Sequence, residues 1–72
     1  MVQAYILIQT EVGKAAEVAR LIRDIDGVEK AHDVTGPYDV IVQAGADDID
    51  ALGALVVARI QRLSGIARTL TC

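Results

Sequence analysis

The chain has 72 residues, of which 53% are hydrophobic, and a formal net charge of −3 at pH 7. With one cysteine and one histidine it cannot form an internal disulfide, and we expect neither a cysteine/histidine metal cluster nor any other cofactor. The acidic balance, the lack of a Lys/Arg run and the absence of tryptophan and phenylalanine argue against direct binding of nucleic acid.

The first half of the chain predicts a strand, a helix and a second strand. Residues 2–9 are β-rich and apolar on both faces at their centre, which is typical of an interior strand. Residues 14–25 carry apolar side chains at helical spacing, and Gly27 follows the predicted helix end. Residues 28–35 hold several charges, which favours a strand at a sheet edge.

The second half predicts the same kinds of element in the order strand, helix, strand. A Gly-Pro turn leads into an interior strand over residues 38–46, and Asp47 or Asp48 is predicted to cap the next helix. Gly53 inside this helix predicts a close approach to the sheet. Gly65 ends the helix, and residues 66–71 form the last strand. The apolar stripe predicted for the helix consists of Ile49, Leu52, Val56 and Ile60.

An internal repeat relates the two halves. Residues 22–28 are echoed 38 positions later by residues 60–66, each copy being a helix end, a polar-glycine turn and a strand start. Two βαβ halves of this kind predict a single α+β domain over residues 1–72 with the ferredoxin-like βαββαβ fold and a four-stranded antiparallel sheet. Right-handed crossovers place strands one and three at the centre of that sheet.

Both helices of such a fold cover the same sheet face. The other face, carrying Tyr5, Leu7 and Ile41 or their neighbours, would expose a large apolar patch in a monomer. A chain of this length is also near the lower limit for independent stability. We therefore expect an obligate oligomer in which two sheets pack face to face.

No segment approaches the roughly 18 apolar residues needed to span a membrane. The N-terminus also lacks the basic region of a secretory signal. These features predict a cytoplasmic protein without a membrane partner.

Four segments together resemble the effector-binding (RAM-type) domain of the Lrp/AsnC, or feast/famine, transcriptional regulators. The segments are Gly27-Val28, the turn Val34-Thr35-Gly36-x-Tyr38-Asp39, the helix over residues 48–55, and Gly65-Ile66-x-x-Thr69-x-Thr71. The resemblance extends over essentially the whole chain. Members of the family normally carry an N-terminal helix-turn-helix domain, whereas this chain starts on the first strand. The resemblance therefore implies a stand-alone module that does not itself bind DNA.

The resemblance also implies an assembly and a ligand. Family members dimerise by sheet packing into an α+β barrel, often assemble into octameric rings, and bind small effectors, usually amino acids, between dimers. A full-length Lrp/AsnC-type regulator is a further candidate partner. The ligand-binding residues carried over from the family are Thr35, Gly36, Tyr38, Asp39, Thr69 and Thr71.

The chemistry of these residues suits an α-amino acid, but structural explanations exist for several of them. Asp39 could hold the ammonium group, or it could satisfy backbone N–H groups of the turn. Gly36 is required by a tight turn with or without a ligand. Threonine is common in strands by propensity alone. His32 is expected to be a solvated edge residue, and Cys72 a free terminal thiol.

Three classes of function follow. The first is a non-catalytic amino-acid-binding and oligomerisation module with a regulatory role. The second is a small dimeric α+β-barrel enzyme of the isomerase or monooxygenase type, which needs acid/base groups in an enclosed pocket. The third is a purely structural oligomer without a ligand. The fold by itself does not decide among them.

Overall fold

The computed structural model describes the backbone of residues 2–71 and the side chains of residues 2–54 and 58–70. Within these residues the chain forms four strands and two helices. In chain order they are β1 (Val2–Thr10), α1 (Ala15–Arg23), β2 (Val28–Asp33), β3 (Val40–Ala46), α2 (Ile49–Ala51, Leu52–Val57 and Ala58–Gln61 in succession) and β4 (Ile66–Thr71). The strand order is β2-β3-β1-β4, and every pairing is antiparallel. The predicted α+β, ferredoxin-like fold is confirmed, with β1 and β3 at the centre.

The bounds differ from the sequence prediction mainly around the β2–β3 connection. β2 ends at Asp33 and β3 begins at Val40, so the connection is longer than predicted. The N–H of Val34 donates to the carbonyl of Asp39 at 2.8 Å, which closes the connection at its base. Pro37 has no N–H and cannot extend the strand ladder, so the chain leaves the sheet between these residues.

The core lies between one face of the sheet and the two helices. Alternate residues of each central strand point toward the helices, as the period of two in a strand requires. Among the described side chains all buried ones are apolar. The largest fully buried side chains are Ile6, Ile8, Val18, Ile22, Val40, Val42 and Ile60.

The internal repeat predicted from sequence corresponds to two equivalent turns. Ile22 and Ile60 are both fully buried, and the glycines that follow, Gly27 and Gly65, adopt positive φ angles of 95° and 90°. A Cβ atom on Gly65 would lie 3.2 Å from Cγ2 of Val18, so this turn packs directly on α1. The two βαβ halves are therefore joined through the helix layer as well as through the sheet.

The helix α2 departs from the predicted stripe. Leu52 and Ile60 are buried, but Ile49 is 71% exposed, and the side chain of Val56 lies outside the described residues. Gly53 is exposed, with open space where a Cβ would stand, so the predicted close approach to the sheet is wrong. The central segment Leu52–Val57 is π-helical. Because its hydrogen bonds span five residues, the α-helical spacing used for the prediction does not hold through it.

The beginning of α2 agrees with the sequence. The side chain of Asp48 accepts a hydrogen bond from the N–H of Ala51 at 2.7 Å, as an N-cap residue does.

Within the described residues, no helix is long and apolar enough to cross a membrane.

Candidate functional site

The β2–β3 turn, residues 34–39, projects from the end of the sheet beside the end of β1. The N–H of Asp39 donates to the carbonyl of Ile8 at 2.8 Å, which ties the turn to β1. Gly36 has a φ of 147° and is exposed, and a Cβ atom at this position would have no neighbour within 4 Å. Glycine is needed there for its backbone angle and leaves the turn backbone open to solvent.

The carboxylate of Asp39 has a specific partner in β1. Its Oδ2 atom accepts a hydrogen bond from the backbone N–H of Thr10 at 2.9 Å in a partly buried position. Ile8 is the last β1 residue that pairs with β3, so the N–H of Thr10 lies beyond the β1–β3 ladder. The carboxylate supplies the acceptor that the ladder no longer provides. One carboxylate oxygen is thus engaged by β1, rather than by an N–H of the turn itself.

Gln9 makes a second side-chain link to the turn. Its Nε2 atom donates to the carbonyl of Pro37 at 2.9 Å. In the sequence pattern Gln9 is only an alternating strand residue, and it was not predicted as part of the site. A polar amide at the end of an apolar strand is the only local signal, and it does not identify its partner, because the two residues are 28 positions apart.

The threonines of β4 lie on the other side of β1 from the turn. Thr69 is opposite Ile8 and shares its helix-covered face, because directly paired residues of antiparallel strands point the same way. One strand therefore separates Thr69 from Asp39, a distance of about 10 Å at ordinary strand spacing. Thr71 is opposite Ile6, and its side chain lies outside the described residues.

The remaining predicted site residues belong to the turn. Thr35 and Gly36 are exposed and Tyr38 is half-buried. Together with Asp39 they form a continuous polar segment with one aromatic ring. The structure therefore brings four of the six predicted residues together in one chain and places Thr69 across β1 from them.

The sheet face opposite the helices, called the open face below, is apolar at its centre. Leu7 lies between Ile41 and Leu70 in the strand register. Tyr5 is 53% exposed and Leu70 48% exposed. The predicted uncovered apolar face is confirmed for the single chain.

Polar groups surround this centre. The amide of Gln3 donates to Oε1 of Glu29 at 3.3 Å, across the position of Gly45, which has no side chain. His32 is exposed on the edge strand opposite Ile41. The described side chains include no cluster of three groups able to hold a metal ion.

The fold and the polar turn at the end of its sheet define a ferredoxin-like α+β domain with one uncovered sheet face. A family model for the Lrp/AsnC ligand binding domain matches residues 3–72. The chain therefore belongs to the Lrp/AsnC ligand-binding domain family. Membership supports a regulatory, effector-binding role.

Individual relatives agree with this assignment. An uncharacterized HTH-type transcriptional regulator of Pyrococcus furiosus is 31% identical over 55 residues, which make up 76% of this chain and 37% of the relative. The chain thus spans little more than a third of the curated relatives that it matches.

Solved structures extend the likeness to the whole fold. The crystal structure of a hypothetical protein from Pyrococcus horikoshii matches with a TM-score of 0.92 and 33% identity, covering 100% of this chain and 87% of the other. A transcriptional regulator of Neisseria meningitidis in complex with L-Met matches with a TM-score of 0.81 over 97% of this chain and 47% of the other. At 24% identity this second likeness shows a shared fold alone.

Proposed function

We propose that this protein is a non-catalytic module that binds a small effector, an amino acid, and exerts a regulatory effect through its oligomeric state. The observation that carries the proposal is the family match over residues 3–72, which includes the complete β2–β3 turn. The complex of the Neisseria meningitidis regulator with L-Met favours an amino acid as the effector class. Regulators act on the chromosome, so a cytoplasmic location accompanies the proposal.

The turn offers complementary groups for an α-amino acid. Oδ2 of Asp39 is engaged by Thr10, and the second carboxylate oxygen is proposed to receive the ammonium group. Backbone N–H groups around the exposed Gly36 and the hydroxyl of Thr35 would receive the carboxylate. Tyr38 would form an apolar wall against the side chain of the effector.

A second copy of the chain is proposed to complete the assembly. The open face exposes Tyr5 and Leu70 at its centre, and pairing two such faces would remove this apolar surface from water. Thr69 and Thr71 belong to β4, which β1 separates from the turn of the same chain. They are proposed to face an effector held by the turn of another subunit in a higher oligomer, such as an octameric ring.

A partner regulator is part of the same proposal. The relatives are HTH-type transcriptional regulators, and the chain spans 37% of their length. Since the family resemblance implies assembly between such domains, we propose that this chain, as a single domain over residues 1–72, assembles with a full-length regulator of the same family. DNA contacts would then come from the partner and not from this domain.

The experiment that tests the function is a thermal-shift screen against the twenty amino acids, with light-scattering mass recorded for each hit. An effector present at 100 times its dissociation constant stabilises the folded state by about 2.7 kcal/mol. In a domain of this size that corresponds to a rise in Tm of about 10 °C or more. If no amino acid raises the Tm, the proposed effector class is wrong and a structural partner subunit becomes the better explanation.

Asp39 is tested by two substitutions that separate its charge from its structural contact. Asp39→Asn retains an oxygen that can accept from Thr10 but removes the charge, whereas Asp39→Ala removes both. We expect Asp39→Asn to weaken binding about 10- to 100-fold, because hydrogen bonds to charged groups contribute about 1.5–3 kcal/mol. Asp39→Ala is expected to abolish binding while the dimer persists.

The control for these variants is the analogue of the effector that lacks its amino group. The wild type should discriminate against this analogue in calorimetric titration, and Asp39→Asn should not. Equal affinity of the wild type and Asp39→Asn for the amino acid would mean that the ammonium group is held elsewhere.

A further inference from the structure

The β2–β3 turn is attached to β1 by two side-chain hydrogen bonds in addition to the backbone. Nε2 of Gln9 donates to the carbonyl of Pro37 at 2.9 Å, and the N–H of Thr10 donates to Oδ2 of Asp39 at 2.9 Å. The two donors are consecutive residues at the end of β1. The two acceptors lie two residues apart on the returning arm of the turn.

These two side-chain hydrogen bonds restrain the β2–β3 turn, which lies outside the hydrogen-bond ladder of the strands. The base of the turn is closed by the backbone bond from Val34 to Asp39. Beyond that base, residues 35–37 are exposed, and Gly36 adopts a φ that only glycine readily tolerates. Glycine also contributes the largest conformational freedom of any residue in the absence of contacts. The Gln9 amide is therefore the contact that restrains the turn at Pro37.

We propose that Gln9 is a positioning residue of the effector site, which fixes the turn against the end of β1 so that Gly36, Tyr38 and Asp39 keep the arrangement that binds the effector. The proposal rests on the proposed function for the identity of the ligand. The restraint on the turn is a property of this chain that can be measured without any ligand. Gln9 itself is neutral and acts on Pro37, so its effect on the effector is indirect.

The test compares Gln9→Met with Gln43→Met. Methionine at position 9 has a similar length and no charge, and it has no N–H to donate to the Pro37 carbonyl. Gln43 is also a half-buried glutamine on the open face, and it lies opposite Tyr5 and Lys30, away from the turn. Both variants replace the amide of a half-buried glutamine by an uncharged side chain, so the Gln43 variant controls for effects of amide loss on folding and assembly.

Two quantities are measured, the affinity for the amino acid found in the screen and the amide hydrogen exchange of Thr10, Val34 and Asp39 in the ligand-free protein. We expect Gln9→Met to weaken affinity about 3- to 10-fold, the fold-change that one hydrogen bond of ordinary net strength produces. The ratio of affinities for the amino acid and its analogue without an amino group should stay at the wild-type value, because Asp39 remains in place. Exchange of the three amides should accelerate in Gln9→Met only, and Gln9→Lys, which restores a donor, should slow it again.

The outcomes separate this proposal from the proposed function. If the wild type binds an amino acid and the two methionine variants match it in affinity and exchange, the positioning role is overturned. If no amino acid binds the wild type, the proposed function fails on its own. The exchange data then decide whether Gln9 restrains the turn, since acceleration confined to Gln9→Met supports the restraint and equal exchange in the two variants overturns it.

Discussion

Replacement of Tyr5 by lysine is expected to dissociate the proposed dimer. Tyr5 is 53% exposed on the open face of the single chain. A buried aromatic side chain removes about 150–250 Å² from water, so the exposed half of Tyr5 has about 100 Å² left to bury. At about 25 cal/mol per Å², this amounts to about 2.5 kcal/mol per copy. A two-fold dimer contains two copies, so about 5 kcal/mol is lost, which is more than a thousandfold in the dimer dissociation constant.

The assay is sedimentation equilibrium over a range of concentrations, and the control is Val12→Lys. Val12 is fully exposed in the turn between β1 and α1, so this variant makes the same change of apolar residue to lysine outside the open face. Val12→Lys should retain the mass of the wild type. A dissociation constant of Tyr5→Lys within tenfold of the wild-type value would refute open-face pairing, as would equal loss of mass in both variants.

Two further predictions concern the stability of the fold and are measured by thermal or denaturant unfolding. Ile6→Ala should lower the free energy of unfolding by about 2–5 kcal/mol because the side chain is fully buried, whereas Ile49→Ala, at a position 71% exposed, should change it by less than about 0.5 kcal/mol. Equal losses in these two variants would place Ile49 in the core. Gly65→Ala should destabilise by about 1–2 kcal/mol or more, since it combines a positive φ with a Cβ only 3.2 Å from Val18. Gly53→Ala meets open space in a helix and should be neutral or stabilising by up to about 1 kcal/mol, and a loss there would show that Gly53 does approach a neighbour.

The order of elements and the uncovered sheet face could be predicted from the sequence because both depend on short-range patterns. Alternating apolar residues, helical spacing in residues 14–25 and the glycines at the two repeated turns are each visible within a few neighbouring positions. The open face followed from the fold, since both helices of a βαββαβ chain cover the same side. Tyr5, Leu7 and Ile41 were assigned to that face for this reason, and the structure places them there.

Prediction from the sequence was wrong where local geometry departed from the ideal. Ile49 was placed on the buried stripe by α-helical spacing, but the π-helical segment Leu52–Val57 changes the spacing along α2. Gly53 was assigned a close approach to the sheet from its residue type alone, and the structure leaves open space there. No residue pattern in this helix predicts the change from α-helical to π-helical spacing. The extent of the β2–β3 turn was also underestimated, because its bounds depend on which backbone groups find partners in β1.

The amino-acid pattern was sufficient for the βαββαβ order, the edge and centre strands, and the location of a polar turn containing Gly36 and Asp39. What that turn touches depends on contacts between distant parts of the chain. The bonds from Gln9 to Pro37 and from Thr10 to Asp39 join residues 28 and 29 positions apart. They exist because the register of β1 against β3 brings the end of one strand beside the start of the other, and a shift of one residue would point every side chain to the opposite face. Register is set by the packing of the whole core, so no local pattern contains it.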